Sequence, residues 1–193
     1  MCSVEIDTEK LLLHACCGPC ATRVIELLSR HYRVTAFFFN PNIDPVEEYI
    51  NRLGAIEKFC RLKEIELISE GHDHRDWLTL VAGLEQQPEG GARCEVCFAM
   101  RLRRTALVAM ERGFTVFGTT LSISPHKDAL AINRIGQQAA HEYAVRFIEE
   151  DFKQGNGYRK SCELSRQYGL YRQKYCGCEF SKNSPQSSQS TQK

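Results

Sequence analysis

Cysteine is the residue type whose number and spacing point most clearly to chemistry in this sequence. The chain has ten cysteines among 193 residues, about 5%, below the roughly 8–10% of a short secreted disulfide scaffold. Clustered cysteines in a reducing compartment more often bind metal or carry out redox chemistry than form structural disulfides. Seven of the ten fall into three short motifs, which are Cys16, Cys17 and Cys20, then Cys94 and Cys97, then Cys176 and Cys178.

The first two motifs are candidates for the ligands of one metal centre. Cys16, Cys17 and Cys20 lie in a tight turn after a predicted strand, and their crowding favours metal binding over packing as small apolar side chains. Cys94 and Cys97 begin a predicted helix, where exposed N–H groups and the helix dipole stabilise thiolates. By itself this C-x-x-C is compatible with a redox dithiol, half of a zinc site or half of an iron–sulfur site.

Cys16, Cys17, Cys94 and Cys97 together make a four-thiolate set suited to zinc or to a cubane iron–sulfur cluster. Neighbouring residues normally point in different directions, so Cys16 and Cys17 are an awkward pair for one small tetrahedral ion. Different iron atoms of a larger cluster accept two neighbours more easily. The spacing therefore favours an iron–sulfur cluster and leaves zinc open as the alternative.

The third motif, Cys176 and Cys178, indicates redox chemistry. A disulfide between them would close a ring with one intervening residue, and strained disulfides have more oxidising potentials. The alternative is an accidental pair of surface thiols. The preceding segment 158–175 holds four tyrosines, five basic residues and one acidic residue. Such a surface can contact phosphates and stack on unpaired bases, or it can be an ordinary solvated face.

The overall composition excludes several classes of protein. With 25 Lys and Arg residues against 24 Asp and Glu residues, the chain has no general attraction to nucleic acid or anionic membranes. No apolar run approaches the roughly 20 residues that span a bilayer. Residues 1–10 carry Glu5, Asp7 and Glu9 instead of the basic and apolar regions of a secretory signal. We therefore expect a cytoplasmic protein that does not contact a membrane.

The elements that must position the cysteines follow from five short apolar runs, at 11–15, 34–39, 65–68, 114–117 and 145–148. Helical patterns separate these runs, which predicts buried strands of a parallel sheet. Pro19 is expected in the first turn of a helix. Asp44 is expected to cap a helix that begins at Pro45 and runs to about 62. Ser124 is expected to cap one that begins at Pro125 and runs to 140. A further helix is expected at about 94–112.

This alternation predicts an α/β fold with an open, doubly wound, Rossmann-like or HUP-like sheet. Five mostly parallel strands are expected, with helices on both faces and ligands beyond the carboxyl ends of the strands. Residues 1–181 are expected to form a single α/β domain that carries the cysteine motifs. Residues 182–193 are rich in Ser and Gln and are expected to be a disordered tail.

Six motifs in order resemble the epoxyqueuosine reductases of the QueH type. They are LLLHACCGPC at 11–20, FFFNPNI at 37–43, RCEVC at 93–97, TTLSISPHKD at 119–128, DFK at 151–153 and YRQKYCGC at 171–178. The resemblance implies an oxidoreductase that reduces the epoxide of epoxyqueuosine, at the wobble position of tRNA, to queuosine. The rival interpretation is a zinc-stabilised RNA-binding module without redox activity.

The resemblance also implies roles for individual cysteines. Cys16, Cys17, Cys94 and Cys97 would hold a [4Fe–4S] cluster, and Cys176 and Cys178 would form a redox-active disulfide. An additional iron beside the cluster, if present, would be held by Cys20 together with Cys176 and Cys178, which is the alternative role of that pair. His14 and His126 are candidate proton donors, with packing or capping as their alternative role. The implied partners are a tRNA carrying epoxyqueuosine and an electron donor, while the donor's identity and the oligomeric state are left open.

Overall fold

The computed structural model describes residues 8–182 and contains one five-stranded sheet. The strands lie in the order β3-β2-β1-β4-β5, and every neighbouring pair is parallel. In chain order they are β1 (Lys10–His14), β2 (Arg33–Phe38), β3 (Glu66–Ser69), β4 (Val116–Thr119) and β5 (Arg146–Phe147). The expected number of strands is confirmed, and the sheet is parallel throughout.

The described residues also form six α-helices. They are α1 (Gly18–Leu28), α2 (Val46–Leu62), α3 (His74–Leu80), α4 (Ala92–Glu111), α5 (Ala129–Glu142) and α6 (Gly157–Gln167). Helix α1 packs against α2 and α6, whereas α4 packs against α5 and against β1 and β4. None of the described helices is both long and apolar enough to cross a membrane.

The central strand β1 shows why the sheet forms where the sequence predicts it. Leu11, Leu12 and Leu13 are fully buried, which is typical of a parallel strand covered on both faces. The register pairs Leu13 with Ala36 of β2 and with Gly118 of β4. The chain moves outward from β1 to β2 and β3 and then returns to β4 beside β1. Ligands of such sheets bind where the strand order reverses, beyond the carboxyl ends of β1 and β4.

Two expected helix starts are wrong. Pro45, not Asp44, is the N-cap of α2, and no side chain caps this helix; the Asp44 carboxylate instead pairs with Lys182 at 2.6 Å. Helix α5 begins at Ala129, because the Asp128 carboxylate accepts a hydrogen bond from the Leu130 N–H at 2.8 Å and so caps the helix. Residues 124–127 form a turn before it.

The sequence pattern also left α3 unpredicted, a short helix that Asp73 caps. Helix α4 begins two residues before the expected position, so that Cys94 and Cys97 lie in its first two turns. The predicted tail from 183 onward lies outside the described residues, and the domain boundary at 181 stays a prediction.

Candidate metal and redox centre

The turn between β1 and α1 gathers three thiols. The Sγ atoms of Cys16, Cys17 and Cys20 all lie within 4.8 Å of one another, and all three residues are buried. Cys17 is the N-cap of α1, and its sulfur accepts from the backbone N–H of Cys20 at 3.5 Å. Gly18 makes the turn fit, because a Cβ atom there would come within 2.8 Å of the Ala55 backbone in α2.

Neighbouring Cys16 and Cys17 point the same way rather than apart, with 3.8 Å between their sulfur atoms. Two thiolates on one tetrahedral ion, with bonds of about 2.3 Å, would be separated by about the same distance. The argument from side-chain direction therefore does not distinguish a single ion from a cluster.

The thiols of this turn differ in the direction of their pKa shifts. Hydrogen bonds from Cys17 and then Cys20 hold the pKa of the Cys16 thiol well below its usual value. Burial is the largest cause that raises the pKa of Cys17, to about 12. The Cys16 sulfur also accepts from the Thr120 hydroxyl at 3.5 Å, just beyond β4. Cys16 is thus the thiol best prepared to bind metal as a thiolate.

A second group of thiols lines a neighbouring cavity. Cys94 and Cys97, from the start of α4, line this cavity together with Cys176 and Cys178. The latter two belong to residues 171–182, called the C-terminal segment below. Cys97 and Cys178 also pack in one apolar cluster with Trp77 of α3. Helix α4 and the C-terminal segment are thus brought together by burial of their cysteines and of the Trp77 indole.

Cys176 occupies the junction between the two groups. It lines the cavity of Cys94 and Cys97, and it also lines an adjacent cleft that contains Cys16 and Cys20. A hydrogen bond from Cys178 is the main cause that lowers the pKa of Cys176 well below its usual value, and the charge of Lys127 adds to the effect. The same bond raises the pKa of Cys178. Both thiols are free in this structure, and the predicted disulfide stays a prediction.

The adjacent cleft has a volume of about 1090 Å³, counting the solvent-filled space at its mouth. Five basic side chains and one carboxylate, that of Glu89, line it. Two tyrosines, Tyr158 and Tyr175, lie among them. The basic residues are Arg52, Arg101, Lys127, Arg172 and Lys174. Part of the basic, tyrosine-rich segment predicted from the sequence therefore faces the thiols.

Three arginines of α4 are engaged in contacts with carboxylates or with the backbone. Arg103 pairs with Glu142 at 3.0 Å, and Arg104 binds both carboxylate oxygens of Glu70. Arg101 is 4% exposed and donates to the carbonyl oxygen of Cys97 at 3.2 Å. These arginines therefore serve the fold and the thiol cavity.

The two histidines have different environments. His14 is fully buried, and its ring nitrogens lie 2.9 Å from Thr119 Oγ1 and 3.2 Å from the Phe39 carbonyl oxygen. Burial lowers its pKa to about 4, so His14 is a packing residue that joins β1 to its neighbours. His126 is exposed and lines both the cavity and the cleft, and burial of part of its ring lowers its pKa.

Several residues of the site escaped the sequence reading. Gln173 donates to the Cys17 sulfur at 2.9 Å, and Lys127 and Glu89 line both the cavity and the cleft. Burial is the main cause that raises the pKa of Glu89, and the charge of Cys176 adds to it. Lys127 and Gln173 lie within two of the six family motifs, and this position was the signal that could have identified them. Glu89 carried no signal beyond its place in a glycine- and proline-containing loop.

The sheet and its two thiol groups define an α/β protein with a cysteine-rich centre at the switch point of the sheet. The family model described as epoxyqueuosine reductase QueH matches residues 11–184. Epoxyqueuosine reductase QueH of Streptococcus pyogenes serotype M1 is 39% identical over 88% of this chain and 69% of its own length. The corresponding protein of Thermotoga maritima is 37% identical over 89% of each chain.

The chain belongs to the QueH family of epoxyqueuosine reductases and is an oxidoreductase. Among solved structures, the fold is similar to that of a U34-tRNA thiolase, NcsA from Methanococcus maripaludis, a structure that contains its [4Fe–4S] cluster. The TM-score is 0.61 at 17% identity, over 94% of this chain and 64% of the thiolase. At this identity the likeness shows the fold alone.

Proposed function

We propose that this reductase acts on epoxyqueuosine at the wobble position of tRNA, with a [4Fe–4S] cluster and the Cys176–Cys178 pair as its redox groups. The observation that carries the proposal is the position of Cys176. It lines the cavity of Cys94 and Cys97 and also the cleft of Cys16 and Cys20. At this position a redox-active thiol would lie beside a substrate bound in the cleft.

The ligand chemistry of the donor set suits the proposed cluster, which would have to join two groups of thiols. Cys16 and Cys17 lie in the β1–α1 turn, and Cys94 and Cys97 line the neighbouring cavity. Cys16, Cys17, Cys94 and Cys97 offer four thiolates, and soft sulfur ligands suit iron–sulfur clusters. Cys20 shares the turn of Cys16 and Cys17 and is proposed as a ligand of an additional iron. When bound, the cluster supplies electrons one at a time.

The proposed reaction balances with the two thiols of the C-x-C motif as reductant. Conversion of an epoxide to an alkene breaks both C–O bonds and releases the oxygen as water, which takes two electrons and two protons. Oxidation of the Cys176 and Cys178 thiols to a disulfide releases two electrons and two protons. An external donor must then reduce the disulfide for another turnover, and its identity is open.

Residues of the chain would handle the proton and the negative charge. Lys127, whose charge already acts on Cys176, can stabilise negative charge that develops on the leaving oxygen. Glu89 and His126 line both spaces and are proposed as proton carriers to that oxygen. His14 has no part in this step, because it is fully buried with both ring nitrogens bonded.

The cleft is the proposed binding site for the modified nucleotide. Its exposed basic residues, Arg172 and Lys174, can contact phosphates beside the nucleotide. Tyr158 and Tyr175 offer faces on which a base can stack. The chain as a whole has nearly balanced charge, so its affinity for tRNA would come from this local surface. A cytoplasmic location is part of the proposal, since its substrate and free thiols belong to that compartment.

Nucleoside analysis tests the reaction. A strain lacking the gene is expected to accumulate epoxyqueuosine in its tRNA, and the wild-type chain is expected to restore queuosine. A Cys94→Ser, Cys97→Ser double variant, purified without oxygen, is expected to lose iron, sulfide and absorbance near 400 nm. Cys60→Ala is the control, because Cys60 is buried in α2 on the apolar core. Full iron and sulfide in the double variant would refute the proposed ligands.

A further inference from the structure

A buried ion pair on α2 contacts the segment that carries the C-x-C motif. Arg52 and Glu48 lie one helical turn apart, and Arg52 Nε donates to Glu48 Oε1 at 2.7 Å. Only 2% of Arg52 and 7% of Glu48 is exposed. Desolvation makes a buried ion pair a poor source of folding stability. The groups that the Arg52 guanidinium binds explain better why this pair is buried.

The guanidinium of Arg52 binds two successive backbone carbonyls beside the first thiol of the motif. Nη1 donates to the carbonyl oxygen of Cys176 at 2.9 Å, and Nη2 donates to that of Tyr175 at 3.0 Å. The Tyr175 ring lies against the same group, with its centroid 5.4 Å from Arg52 Cζ. All three nitrogen atoms of the guanidinium are thus engaged, in a planar fork that lysine does not reproduce.

Gly177 permits this close approach. Its φ is +107°, a conformation that favours glycine, and a Cβ atom there would lie 2.9 Å from Arg52 Nη1. Its carbonyl oxygen accepts from the Asp44 backbone N–H at 2.9 Å. Three successive carbonyls, at 175, 176 and 177, are therefore bound by α2 or by the residue that precedes its N-cap.

Glu48 holds the guanidinium from the opposite side. Its second oxygen accepts from the Tyr171 hydroxyl, so one carboxylate connects Arg52 to the start of the same C-terminal segment. The segment 171–177 is thereby fixed at two points by one buried pair.

We propose that Arg52 is a positioning residue that holds Cys176 where the cavity of Cys94 and Cys97 meets the cleft, and that it fixes the backbone that leads to Cys178. The inference rests on the proposed redox role of the two cysteines. Arg52 acts through the backbone on either side of the Cys176 side chain. Its loss should therefore let the Cys176 side chain change its orientation while the metal-binding cysteines stay in place.

The test compares Arg52→Lys with Arg61→Gln in the anaerobically purified holoenzyme. Lysine at position 52 keeps the positive charge but loses the planar fork. Arg61→Gln is the control, because Arg61 is an exposed arginine on the same helix. We expect Arg52→Lys to keep its iron and sulfide, and its amides at 171–178 to exchange hydrogen about tenfold faster. In glutathione buffers the dithiol–disulfide equilibrium should move at least about fivefold toward the disulfide. Turnover should fall about tenfold in kcat with KM within about twofold.

The equilibrium shift has a structural reason. The contacts of Arg52 order the backbone on either side of the Cys176 side chain. A disulfide ring would itself restrain this backbone, so loss of Arg52 should destabilise the dithiol more than the disulfide. Arg61→Gln should behave as the wild type in every measurement. Glu48→Gln keeps both carbonyl hydrogen bonds of Arg52 and should shift the equilibrium less than Arg52→Lys.

Unchanged exchange and an unchanged glutathione equilibrium in Arg52→Lys would overturn the proposal. Faster exchange spread evenly over the whole chain would also overturn it, because the pair would then only stabilise the fold. If Arg52→Lys does not fold, Gly177→Ala disturbs the same contact from the other side and should give the same local changes. Wild-type values in a folded Gly177→Ala variant would refute the role of Arg52.

The proposed function fails separately. Wild-type turnover by Cys176→Ser would remove the redox role of the pair, whatever Arg52 does. Hydrogen exchange and the glutathione equilibrium do not depend on turnover, so the positioning by Arg52 stands or falls on those two measurements.

Discussion

The side-chain amide of Gln173 donates a hydrogen bond to the Cys17 sulfur, with 2.9 Å between Nε2 and Sγ. The same nitrogen lies 3.8 Å from the Cys20 sulfur. One residue near the C-terminus thus contacts the first cysteine motif of the chain, 156 positions earlier. The amide is therefore a direct contact between the C-terminal segment and the proposed cluster ligands.

Replacing Gln173 with Leu should lower the reduction potential of the bound cluster without removing it. Hydrogen bonds to cluster sulfurs raise the potential because they stabilise the more negative, reduced state. A net hydrogen bond of about 0.5–1.5 kcal/mol corresponds to a one-electron shift of about 20–60 mV. A spectroscopic redox titration measures it. Gln167→Leu, an exposed position on α6, is the control, and equal potentials in both variants would contradict the role of Gln173.

Cys20→Ser should remove about one iron per chain and leave the sulfide content unchanged, if Cys20 binds the additional iron and not the cluster. Cys16→Ser, at the low-pKa thiol of the same turn, should lose sulfide as well as iron. Iron and sulfide analysis of both variants makes the comparison. Loss of sulfide in Cys20→Ser would make Cys20 a cluster ligand and contradict the proposed division.

Reversal of Arg172 and Lys174 to Glu should weaken tRNA binding and flatten its dependence on salt. Each lost phosphate contact reduces the slope of log affinity against log salt by about 0.7–0.9. Binding at several salt concentrations measures this slope. The matched control reverses Arg30 and Arg112, which are exposed and do not line the cleft. If both double variants bind alike, the effect is one of net charge and not of the cleft.

Gly18→Ala should destabilise the fold by about 1–3 kcal/mol, because its Cβ would overlap the Ala55 backbone. The forced movement of α1 should also lower metal content, since Cys17 caps this helix. Gly54→Ala lies on α2 with no atom within 4 Å of the added Cβ and should stabilise by about 0.5–1 kcal/mol. Urea unfolding measures the stability change of each variant, expected to be a decrease for Gly18→Ala and an increase for Gly54→Ala. Equal unfolding midpoints would contradict the predicted overlap, because α1 would then move to accommodate the added Cβ atom.

The free energy of unfolding should fall as the pH drops from about 6.5 to 4. The buried His14 ring has its pKa lowered to about 4, whereas the unfolded chain has the ordinary value of about 6.5. Between these values the unfolded state binds the extra proton, so acid favours unfolding, by about 3 kcal/mol at most. His14→Gln should be less stable at pH 7 and less sensitive to acid. An identical pH slope in that variant would exclude His14 as the cause.

The sequence alone determined the sheet and the family. Five apolar runs predicted five strands, because a parallel strand covered on both faces must be apolar along its length. Motifs at 11–20, 93–97 and 171–178 helped to predict the family, which the family match confirms. The N-caps at Asp44 and Ser124 were predicted wrongly, since the Asp44 carboxylate pairs with Lys182 and Asp128 caps α5.

Only the tertiary structure decided how the cysteines are arranged and which side chains serve them. Local patterns describe neighbours within a few residues, whereas Gln173 meets Cys17, and Arg52 meets Cys176, across more than a hundred positions. Such contacts depend on the strand order, which places the β1 turn, the start of α4 and the C-terminal segment at one edge of the sheet. A buried arginine and a polar amide carry no sequence period, so the packing of distant segments alone assigns their partners.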